Sequence, residues 1–408
     1  MARTLLGRGN APEAVLRALH DRARRLALPP PAALSGRWFG VRAVLAPSLA
    51  VEMVPTDQFM TANRPAPNTY SEGLAIGGGW IGSVQYPAHA DAPLLTQAGW
   101  TDEVLIFDGS HWWHETLSAQ SRADDYRYLF INSASRIPSG QARPWRIQWA
   151  TPDRRRHREN VLACLNAIRC GEIYQACIGT NYTGQLRGRA VDVYCDAVTT
   201  TGPARAAYFE GPAGTVVSLS PELFLRRRGC LVTSSPIKGT APKTASPEKL
   251  ARSEKDIAEN VMITDLVRND LGKLAETGSV RVTNLLEIVA APAVWHLVST
   301  IEAHLDPDMP NSALIAATFP PASVTGTPKR RAQQLIASWE QQPRGHYCGA
   351  IGMASPIAGM ELNVAIRTIE FASDGGCRLG VGGGITIDSD PDAEWDECVI
   401  KGSSIVNL

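Results

Sequence analysis

The order in which helix-like and strand-like segments follow one another constrains the fold of this chain more than any other feature. A helix that ends near Gly171 is followed by strand-like segments with alternating apolar residues, at residues 173–182, 205–209, 215–219, 223–227 and 230–233. Helix-like segments follow at residues 246–272, 311–318 and 328–339, and strand-like segments return at residues 349–354, 361–371 and 377–387. Because strands and helices are grouped rather than alternating one by one, the pattern predicts an α+β fold with large, mainly antiparallel sheets.

The first 150 residues carry fewer signals. Apolar residues at helical spacing predict a helix over residues 12–27, and strand-like runs interrupted by Gly and Pro follow it. The glycine-rich segment Gly77–Gly82 is typical of close backbone packing in a sheet. A polar, proline-containing stretch at residues 139–152 predicts a boundary that divides the chain into residues 1–150 and residues 151–408.

The charge balance and the cysteines narrow the kind of partner and the compartment. The chain has 40 Lys and Arg residues and 40 Asp and Glu residues, so no net field attracts nucleic acid or an anionic membrane, and a small-molecule partner is expected. The 8 cysteines form no C-x-x-C pair, which argues against a structural zinc site and favours reduced thiols. The N-terminus lacks the apolar core of a signal peptide and no apolar run reaches membrane length, so we expect a soluble, cytoplasmic protein.

Lys238 stands in an unusual setting for a lysine. It follows the apolar residue Ile237 and precedes the pair Gly239 and Thr240. A buried lysine readily loses its proton, and the neutral amine is a nucleophile. The alternative is a lysine in a turn that points into water, which is the commoner situation for a lysine taken alone.

Two acidic pairs have the spacing of metal ligands on helices. Asp256 and Glu259 are three residues apart in a predicted helix, and Glu394 and Glu397 repeat that spacing near the C-terminus. Together the pairs offer carboxylate oxygens to one hard divalent cation such as Mg²⁺, with positions left for water and substrate. Each pair taken alone is more often a solvated helix face.

Two loop-like segments are candidates for binding an anionic group. The run Gly380–Gly384 does not match a dinucleotide-binding fingerprint, because Ile385–Ile387 continues as a strand instead of opening a helix. We expect this run to form a turn whose bare backbone amides approach an anion. The second segment, Ser323–Lys329, is predicted to lead into a helix that begins near Pro328, and a helix N-terminus favours a carboxylate.

Three further side chains have both a functional and an ordinary interpretation. Arg367, in an alternating strand-like run, either binds a carboxylate or forms a salt bridge on a sheet face. Glu222 lies in an apolar stretch, where burial would raise its pKa and suit it to proton delivery; otherwise it is a strand-edge glutamate in water. His296, in an apolar run, is by pattern more often a core residue than a catalyst.

Taken together, these segments resemble the chorismate-utilising enzymes, the family of anthranilate, aminodeoxychorismate, isochorismate and salicylate synthases. The motifs that carry the resemblance are Gly171–Gln175, Ser220–Glu222, Pro236–Thr240, Glu259–Asp270, His296–Thr300, Thr325–Lys329, Ala365–Thr368 and Gly382–Lys401. The resemblance implies the family's fold, in which two large antiparallel sheets form a β-sandwich flanked by helices. It also implies that residues 151–408 are the chorismate-binding catalytic region and that residues 1–150 are a divergent region contributing to the sandwich.

Two positions sort the members of this family by reaction. Members that add water to chorismate have a lysine where this chain has Gln175, so the resemblance disfavours isochorismate and salicylate synthesis. Anthranilate synthases usually have alanine at the position of Lys238, whereas aminodeoxychorismate synthases have lysine. The resemblance therefore implies amination of chorismate at C4, which gives 4-amino-4-deoxychorismate. Anthranilate synthase component I and a non-catalytic chorismate-binding protein are the alternatives.

The resemblance also implies roles for single residues and for a partner. Lys238 attacks C2 of chorismate, Glu222 protonates the departing C4 hydroxyl, and His296 lies beside that hydroxyl. The residues implied to hold Mg²⁺ are Glu259, Glu394 and Glu397, and those implied to contact the substrate are Thr240, Thr325, Tyr347, Arg367, Gly382, Gly383, Gly384 and Lys401. A separate glutamine amidotransferase subunit is implied as the source of ammonia, and neither nucleic acid nor a membrane is expected as a partner.

Overall fold

The computed structural model describes residues 2–61, 75–131 and 143–408 of the chain. The strands of these residues are β1 (Ala2–Arg8), β2 (Ala32–Trp38), β3 (Val41–Ala46), β4 (Glu52–Val54), β5 (Gly79–Val84), β6 (Thr96–Thr101), β7 (Glu103–Phe107), β8 (His111–Thr116), β9 (Arg146–Ala150), β10 (Gln175–Arg187), β11 (Arg205–Gly211), β12 (Gly214–Ser220), β13 (Leu223–Arg228), β14 (Leu231–Ser235), β15 (Ile237–Pro242), β16 (Arg281–Ala290), β17 (Val294–His304), β18 (Gly326–Thr327), β19 (Ala350–Ser355), β20 (Gly359–Val364), β21 (Thr368–Phe371) and β22 (Gly376–Ile385). The helices are α1 (Pro12–Leu26), α2 (Thr56–Phe59), α3 (Asp124–Ile131), α4 (Arg154–Arg169), α5 (Ala190–Thr201), α6 (Pro247–Ala251), α7 (Glu254–Gly272), α8 (Asn311–Thr318), α9 (Lys329–Trp339) and α10 (Pro391–Val406), with a 3₁₀ turn at Ala322–Val324.

The strands of the described residues form two sheets in which every paired neighbour is antiparallel. The first sheet has 12 strands in the order β1-β8-β7-β3-β2-β11-β12-β21-β22-β10-β18, with β9 beside β10. The second has 10 strands in the order β15-β17-β14-β13-β20-β19-β5-β6-β4, with β16 beside β17. Both sheets combine strands from before and after residue 150, because β2 pairs with β11 and β5 pairs with β19. The predicted α+β fold with large antiparallel sheets is confirmed.

One face of each sheet is apolar, and these two faces pack on each other. Leu34 and Val44 of the first sheet belong to the same buried cluster as Ile81, Ile351 and Met353 of the second. Successive side chains of a strand point to opposite faces, so this cluster uses one side of each strand. Burying each such side chain contributes roughly 1.5–3 kcal/mol, and the shared core joins the two sheets as a β-sandwich.

Helices pack against the sheets outside this shared core. Val15 and Leu19 of α1 lie in one buried cluster with Tyr194 of α5 and with strands of the first sheet. Ile263 and Leu271 of α7 lie in a second buried cluster, together with α8 and strands of the second sheet. Helix α7 carries the acidic pair Asp256 and Glu259, so the packing of its apolar face holds this pair against the second sheet.

Several predicted segments agree with the structure and two differ in detail. The predicted helix at residues 246–272 is two helices, because the Ser253 hydroxyl accepts a hydrogen bond from the Asp256 amide and caps a new start at α7. The predicted strand at residues 361–371 is broken between β20 and β21, where Arg367 has a φ of 52°. Residues 139–142 of the predicted boundary lie outside the described residues.

Candidate active site

Side chains from several elements meet around two glycines of β22. A Cβ atom on Gly384 would lie 3.2 Å from Nζ of Lys238, which comes from β15, and 3.3 Å from Oε2 of Glu259, which comes from α7. A Cβ atom on Gly383 would lie 3.1 Å from Oε2 of Glu394, which comes from α10. The absence of side chains on the two glycines therefore leaves room for an amine and two carboxylates beside a bare strand.

Lys238 faces this cluster rather than open solvent. Its side chain is 12 % exposed, and its Nζ is 3.9 Å from Oε2 of Glu259. Oε1 of Gln175 approaches the same place, 3.8 Å from the Cβ position of Gly384, and it is buried without a hydrogen-bond partner among the described residues. The description of Lys238 as a turn lysine pointing into water does not hold, because the residue lies in strand β15 and its side chain is mostly buried beside Glu259.

Lysine ammonium groups stand beside each of the three glutamates predicted to hold a metal. Burial raises the pKa of Glu259, and the positive charges of Lys238 and Lys255 partly oppose that rise. Oε1 of Glu394 accepts hydrogen bonds from Nζ of Lys255 at 2.9 Å and from the Ser389 hydroxyl at 2.7 Å. The charge cluster is therefore internally compensated.

Glu397 is the most exposed of the three glutamates. Its Oε1 is 2.7 Å from Nζ of Lys401 on the same helix. Burial alone would raise the pKa of Glu397, but Lys401 and Lys255 outweigh it and hold that pKa below its usual value. Glu397 is therefore an anion at neutral pH.

The chemistry of the three glutamates suits the divalent cation that the family implies, although their carboxylates pair with lysines rather than converging on one point. Among the described residues, no three His, Cys, Asp or Glu side chains stand close enough together to enclose a metal ion. Glu394 is 2 % exposed, and its Oε2 is buried with no hydrogen-bond partner in the described part of the chain. A buried carboxylate oxygen without a partner is costly unless it gains a ligand, and carboxylate oxygens are what Mg²⁺ prefers.

Glu222 has the environment expected of a proton donor. It is 3 % exposed just before strand β13. Burial raises the pKa of Glu222 to about 7, against smaller opposing effects of Ser323 and Lys238. The prediction that burial would raise this pKa agrees with the structure, and near neutral pH the carboxyl group exchanges a proton readily.

His296 is held by Thr240 across the pair of strands β15 and β17. The Thr240 hydroxyl and Nδ1 of His296 are hydrogen-bonded at 3.0 Å. Nε2 is buried and has no partner among the described residues, so the imidazole is not a fully satisfied core histidine. Burial, together with the nearby charge of Arg367, lowers the pKa of His296 to about 4, so the ring is neutral at neutral pH.

Arg367 is a partly buried cation without a carboxylate partner. It lies at the break between β20 and β21, and in the described part of the chain no Asp or Glu forms an ion pair with it. Burial lowers the pKa of Arg367, but an arginine stays protonated at neutral pH. The alternative of a salt bridge on a sheet face is thus not found, and the guanidinium is available to an anion.

The prediction that the run Gly380–Gly384 forms a turn is wrong, whereas the strand predicted over residues 377–387 is found as β22. Within it, Gly382–Gly384 pair with Cys177–Gly179 of β10. The glycines are needed because side chains cross both faces of the strand, and a Cβ on Gly382 would lie 2.7 Å from the hydroxyl oxygen of Tyr347. The glycines themselves suggested a turn, since they carry no apolar side chains, although the segment around them was predicted as a strand.

The side chains of three other predicted substrate contacts already contact other parts of the protein. Tyr347 is buried with its ring against Gly380. The Thr325 hydroxyl is buried and donates to the Pro321 carbonyl at 2.9 Å. Nζ of Lys401 donates to the Gly382 carbonyl at 3.0 Å. Their contacts with substrate stay predictions.

A buried polar network fixes helix α7 behind the cluster. The Asn260 side-chain amide donates to the Leu297 carbonyl at 3.0 Å, and its oxygen accepts from the Ser299 hydroxyl. At the other end of α7, Asp270 forms a buried ion pair with Lys329, the first residue of α9. The predicted start of that helix near Pro328 is confirmed. These contacts set the position of Glu259 relative to β15.

Lys255 was not among the predicted site residues, although its ammonium group joins α7 to α10 through Glu394. A signal was present, since Lys255 precedes Glu259 by one helical turn and so lies on the same helix face. Asp256, the remaining acid of the first pair, packs against Gly239.

Among the described residues, none of the helices has the length and apolar composition that a membrane span requires.

Comparison with known proteins places this site in a family. A family model described as chorismate binding enzyme matches residues 58–407. Aminodeoxychorismate synthase component 1 of Klebsiella aerogenes is 38 % identical over 332 residues, which cover 79 % of this chain and 73 % of that protein. An anthranilate synthase component 1 of Haloarcula marismortui is 37 % identical over 249 residues, which cover 59 % of this chain and 50 % of that protein.

A solved structure supports the same assignment at the level of the fold. Anthranilate synthase component I from Streptococcus pneumoniae has a TM-score of 0.71 and 24 % identity, over 92 % of this chain and 90 % of that chain. The β-sandwich that the resemblance implied is therefore confirmed. Since the family model covers most of the chain and relatives are similar along much of their own length, this chain belongs to the chorismate binding enzyme family.

Proposed function

We propose that the chain converts chorismate and ammonia to 4-amino-4-deoxychorismate and water, as component 1 of an aminodeoxychorismate synthase. The observation that carries the proposal is the position of Lys238, whose Nζ faces Gly384 and Glu259 in the centre of the charged cluster. A relative that bears this activity in its name, from K. aerogenes, supports the choice. An amine at this point suits substitution through a covalent adduct.

In the first step Lys238 releases its ammonium proton to solvent, and the resulting amine forms a bond to C2 of the ring. The two conjugated ring double bonds shift, and the bond between C4 and its hydroxyl breaks. In the second step ammonia bonds to C4, the double bonds shift back, and the amine of Lys238 leaves C2. The protein thus replaces one difficult direct substitution by two allylic displacements, and the lysine is regenerated.

Glu222 supplies the proton that the departing hydroxyl needs. Hydroxide is a poor leaving group, so protonation at the C4 oxygen lets it leave as water. With a pKa of about 7, Glu222 holds a proton in part of the molecules at neutral pH and can take one back from the entering ammonia. The neutral ring of His296, with its free Nε2, is suited to a hydrogen bond with the same hydroxyl.

The remaining groups bind and orient the two carboxylates of chorismate. Arg367 brings a positive charge that no described carboxylate neutralises, so a substrate carboxylate would gain a charge-assisted hydrogen bond there. Glu259, Glu394 and Glu397 would hold Mg²⁺, which supplies a Lewis acid for a substrate carboxylate.

Ammonia in this proposal comes from a second protein. The relative from K. aerogenes is named as a component 1, which supports a partner component for this chain too. We propose a glutamine amidotransferase subunit as that partner, with free ammonium able to replace it in vitro.

The test is product identification. The purified chain is incubated with chorismate, MgCl₂ and ammonium at pH 8, and the product is identified by liquid chromatography and mass spectrometry against authentic standards. Formation of 4-amino-4-deoxychorismate, and its absence with Lys238→Ala, is the expected result. Anthranilate as the product would instead establish the activity of the H. marismortui relative, and no turnover even with a glutaminase subunit would point to a chorismate-binding protein without catalysis.

A further inference from the structure

Lys255 occupies the place among the glutamates where a metal ion would have to compete with it. Its Nζ lies 2.9 Å from Oε1 of Glu394 and 3.9 Å from Oε2 of Glu397. Glu259, one turn further along α7, contributes to the same negative field. One ammonium group therefore pairs with two of the three carboxylates that the proposed function assigns to Mg²⁺ and lies in the field of the third.

The contact is more than a surface salt bridge. Glu394 is 2 % exposed and also accepts from Ser389, so Lys255 neutralises a carboxylate that water barely reaches. A buried carboxylate without a counter-charge is strongly unfavourable. In the metal-free protein Lys255 therefore stabilises the buried carboxylate of Glu394.

Lys255 is also the lysine of the cluster that is best able to leave. Its side chain is 47 % exposed and enters from solvent, whereas that of Lys238 is 12 % exposed. Lys401 has two partners: it forms an ion pair with Glu397 on its own helix and donates a hydrogen bond to the Gly382 carbonyl. Lysine has a flexible stem and a strongly hydrated head, so Lys255 can rotate into water without moving the backbone.

We propose, resting on the proposed function, that Lys255 is an internal counter-cation that a divalent metal ion displaces from Glu394 and Glu397. The ammonium keeps the carboxylates of α10 close to α7 while no metal is bound. Metal binding then exchanges one cation for another instead of filling an open site. Lys255 thus weakens the apparent affinity for Mg²⁺ and stabilises the metal-free protein.

The first experiment measures Mg²⁺ binding to protein stripped with EDTA and dialysed, by isothermal titration calorimetry, with Mn²⁺ electron paramagnetic resonance as a second probe. Lys255→Met should lower the Kd by about tenfold, the scale of one lost competing ion pair. Lys255→Arg keeps the charge and should stay within about threefold of the wild type. Lys249→Met removes an exposed lysine from the neighbouring helix α6 and should leave the Kd unchanged.

The second experiment follows the ammonium group itself in the unmodified protein. Acylation of each lysine by a dilute activated ester is quantified by mass spectrometry with and without MgCl₂. Displacement predicts a severalfold rise in Lys255 labelling on adding Mg²⁺, while labelling of Lys249 stays constant.

A third readout is thermal unfolding, in which Lys255→Met should lower the midpoint of the metal-free protein and Mg²⁺ should restore it.

The outcomes separate this inference from the proposed function. Wild-type binding of Mg²⁺ with an unchanged Kd in Lys255→Met, or unchanged Lys255 labelling, overturns the displacement and leaves the magnesium site in place. Binding to neither protein overturns the displacement together with the magnesium site, whereas the identity of the amination product is measured independently of both.

Discussion

Nδ1 of His296 is hydrogen-bonded to the Thr240 hydroxyl at 3.0 Å, which leaves Nε2 of the same ring buried and without a partner among the described residues. The two residues lie opposite each other in strands β15 and β17, so the strand pairing fixes the ring. Two residues before Thr240, the same strand carries Lys238. The register of one strand pair thus sets the position of both the candidate nucleophile and the imidazole.

Because its pKa lies near 4, His296 should make folding sensitive to acid. Its pKa in the folded state is below the unfolded value of about 6.5, so the neutral ring contributes stability that is present at neutral pH and lost as the pH falls from about 6.5 to 4. We expect the wild type to lose roughly 2–3 kcal/mol over this range through His296, a loss that His296→Asn avoids. Urea unfolding at pH 7.5 and pH 4.5 measures the difference; equal pH sensitivity of both proteins would contradict it.

Lys238→Ala should abolish 4-amination while the fold persists. Removing the nucleophile takes away the covalent route, so we expect the rate to fall by roughly 10³-fold or more. Lys249→Ala, an exposed lysine of α6, is the control and should keep the full rate. Circular dichroism and the thermal midpoint check folding. A Lys238→Ala enzyme with unchanged turnover would falsify the adduct.

Glu222→Gln should produce a protein that is more stable at high pH and less active. The folded pKa of about 7 exceeds the ordinary value of 4.5, so the stability from the protonated acid is complete below about 4.5 and is lost as the pH rises through 7. At pH 8 the free energy of unfolding of the glutamine variant should therefore be roughly 3 kcal/mol larger than that of the wild type. Its rate should fall by roughly 10²–10⁴-fold, since glutamine cannot donate the proton.

The control for Glu222→Gln is the same comparison at low pH. Near pH 4.5 both side chains are neutral, so the two proteins should have similar stability. The wild-type rate should also decline above pH 7 as Glu222 loses its proton, and this decline should be missing in the variant. A variant that is less stable than the wild type at pH 8 would show that the carboxylate is stabilised by contacts we have not recognised.

Arg367→Ala should weaken substrate binding without harming the fold. No described carboxylate depends on this guanidinium, and we expect KM for chorismate to rise roughly 10–100-fold, the scale of one lost charge-assisted contact. The matched control is Arg205→Ala, because Arg205 is a buried arginine 2.7 Å from Glu361. Its loss removes one of the arginines that pair with Glu361, while Arg226 and Arg228 remain beside that carboxylate, and should cost roughly 1–3 kcal/mol of stability. Steady-state kinetics and urea unfolding of both variants provide the comparison.

Gly384→Ala should disturb the cluster more than the sheet. The new methyl group would lie 3.2 Å from Nζ of Lys238 and 3.3 Å from Oε2 of Glu259, closer than ordinary contact for both. These are ends of side chains that can move, so we expect a large loss of activity, roughly 10²-fold, with a small change in thermal midpoint. Gly272→Ala meets nothing within 4 Å at the end of α7 and should leave activity unchanged.

Segments with local periodicity were predictable from the sequence. Helix α1 and the strands from β11 to β14 follow the spacing of their apolar residues, and their bounds agree with the predictions within a few residues. Helix α5 was missed because its run of Val191, Val193, Tyr194 and Cys195 is as typical of a strand as of a helix. Strands β15 to β17 were missed because their pairing is irregular, and these irregularities interrupt the alternation; one example is the shift of register against β17 between positions 237 and 240 of β15.

The site was predictable only where a motif marked it. Glu222, Lys238 and Glu259 belong to segments that resemble the family. In the structure Lys238 and Glu259 form an ion pair. The helix spacing places Lys255 on the same face as Glu259, but its ion pair with Glu394 could not be predicted, because Glu394 is 139 residues away in the sequence. The strand at Gly382–Gly384 was predicted, but its pairing with β10 could not be, because no local pattern indicates the partner strand.

The strand order of the two sheets has a practical consequence for dissecting this enzyme. Strand β11 is hydrogen-bonded to β2, and β19 to β5, so strands from the first 150 residues extend both sheets that residues 151–408 form. A fragment cut at that point would expose two long rows of free amide and carbonyl groups, which are templates for aggregation. Truncation is therefore a poor route to a minimal catalyst, and two co-expressed halves should instead recombine through these edges.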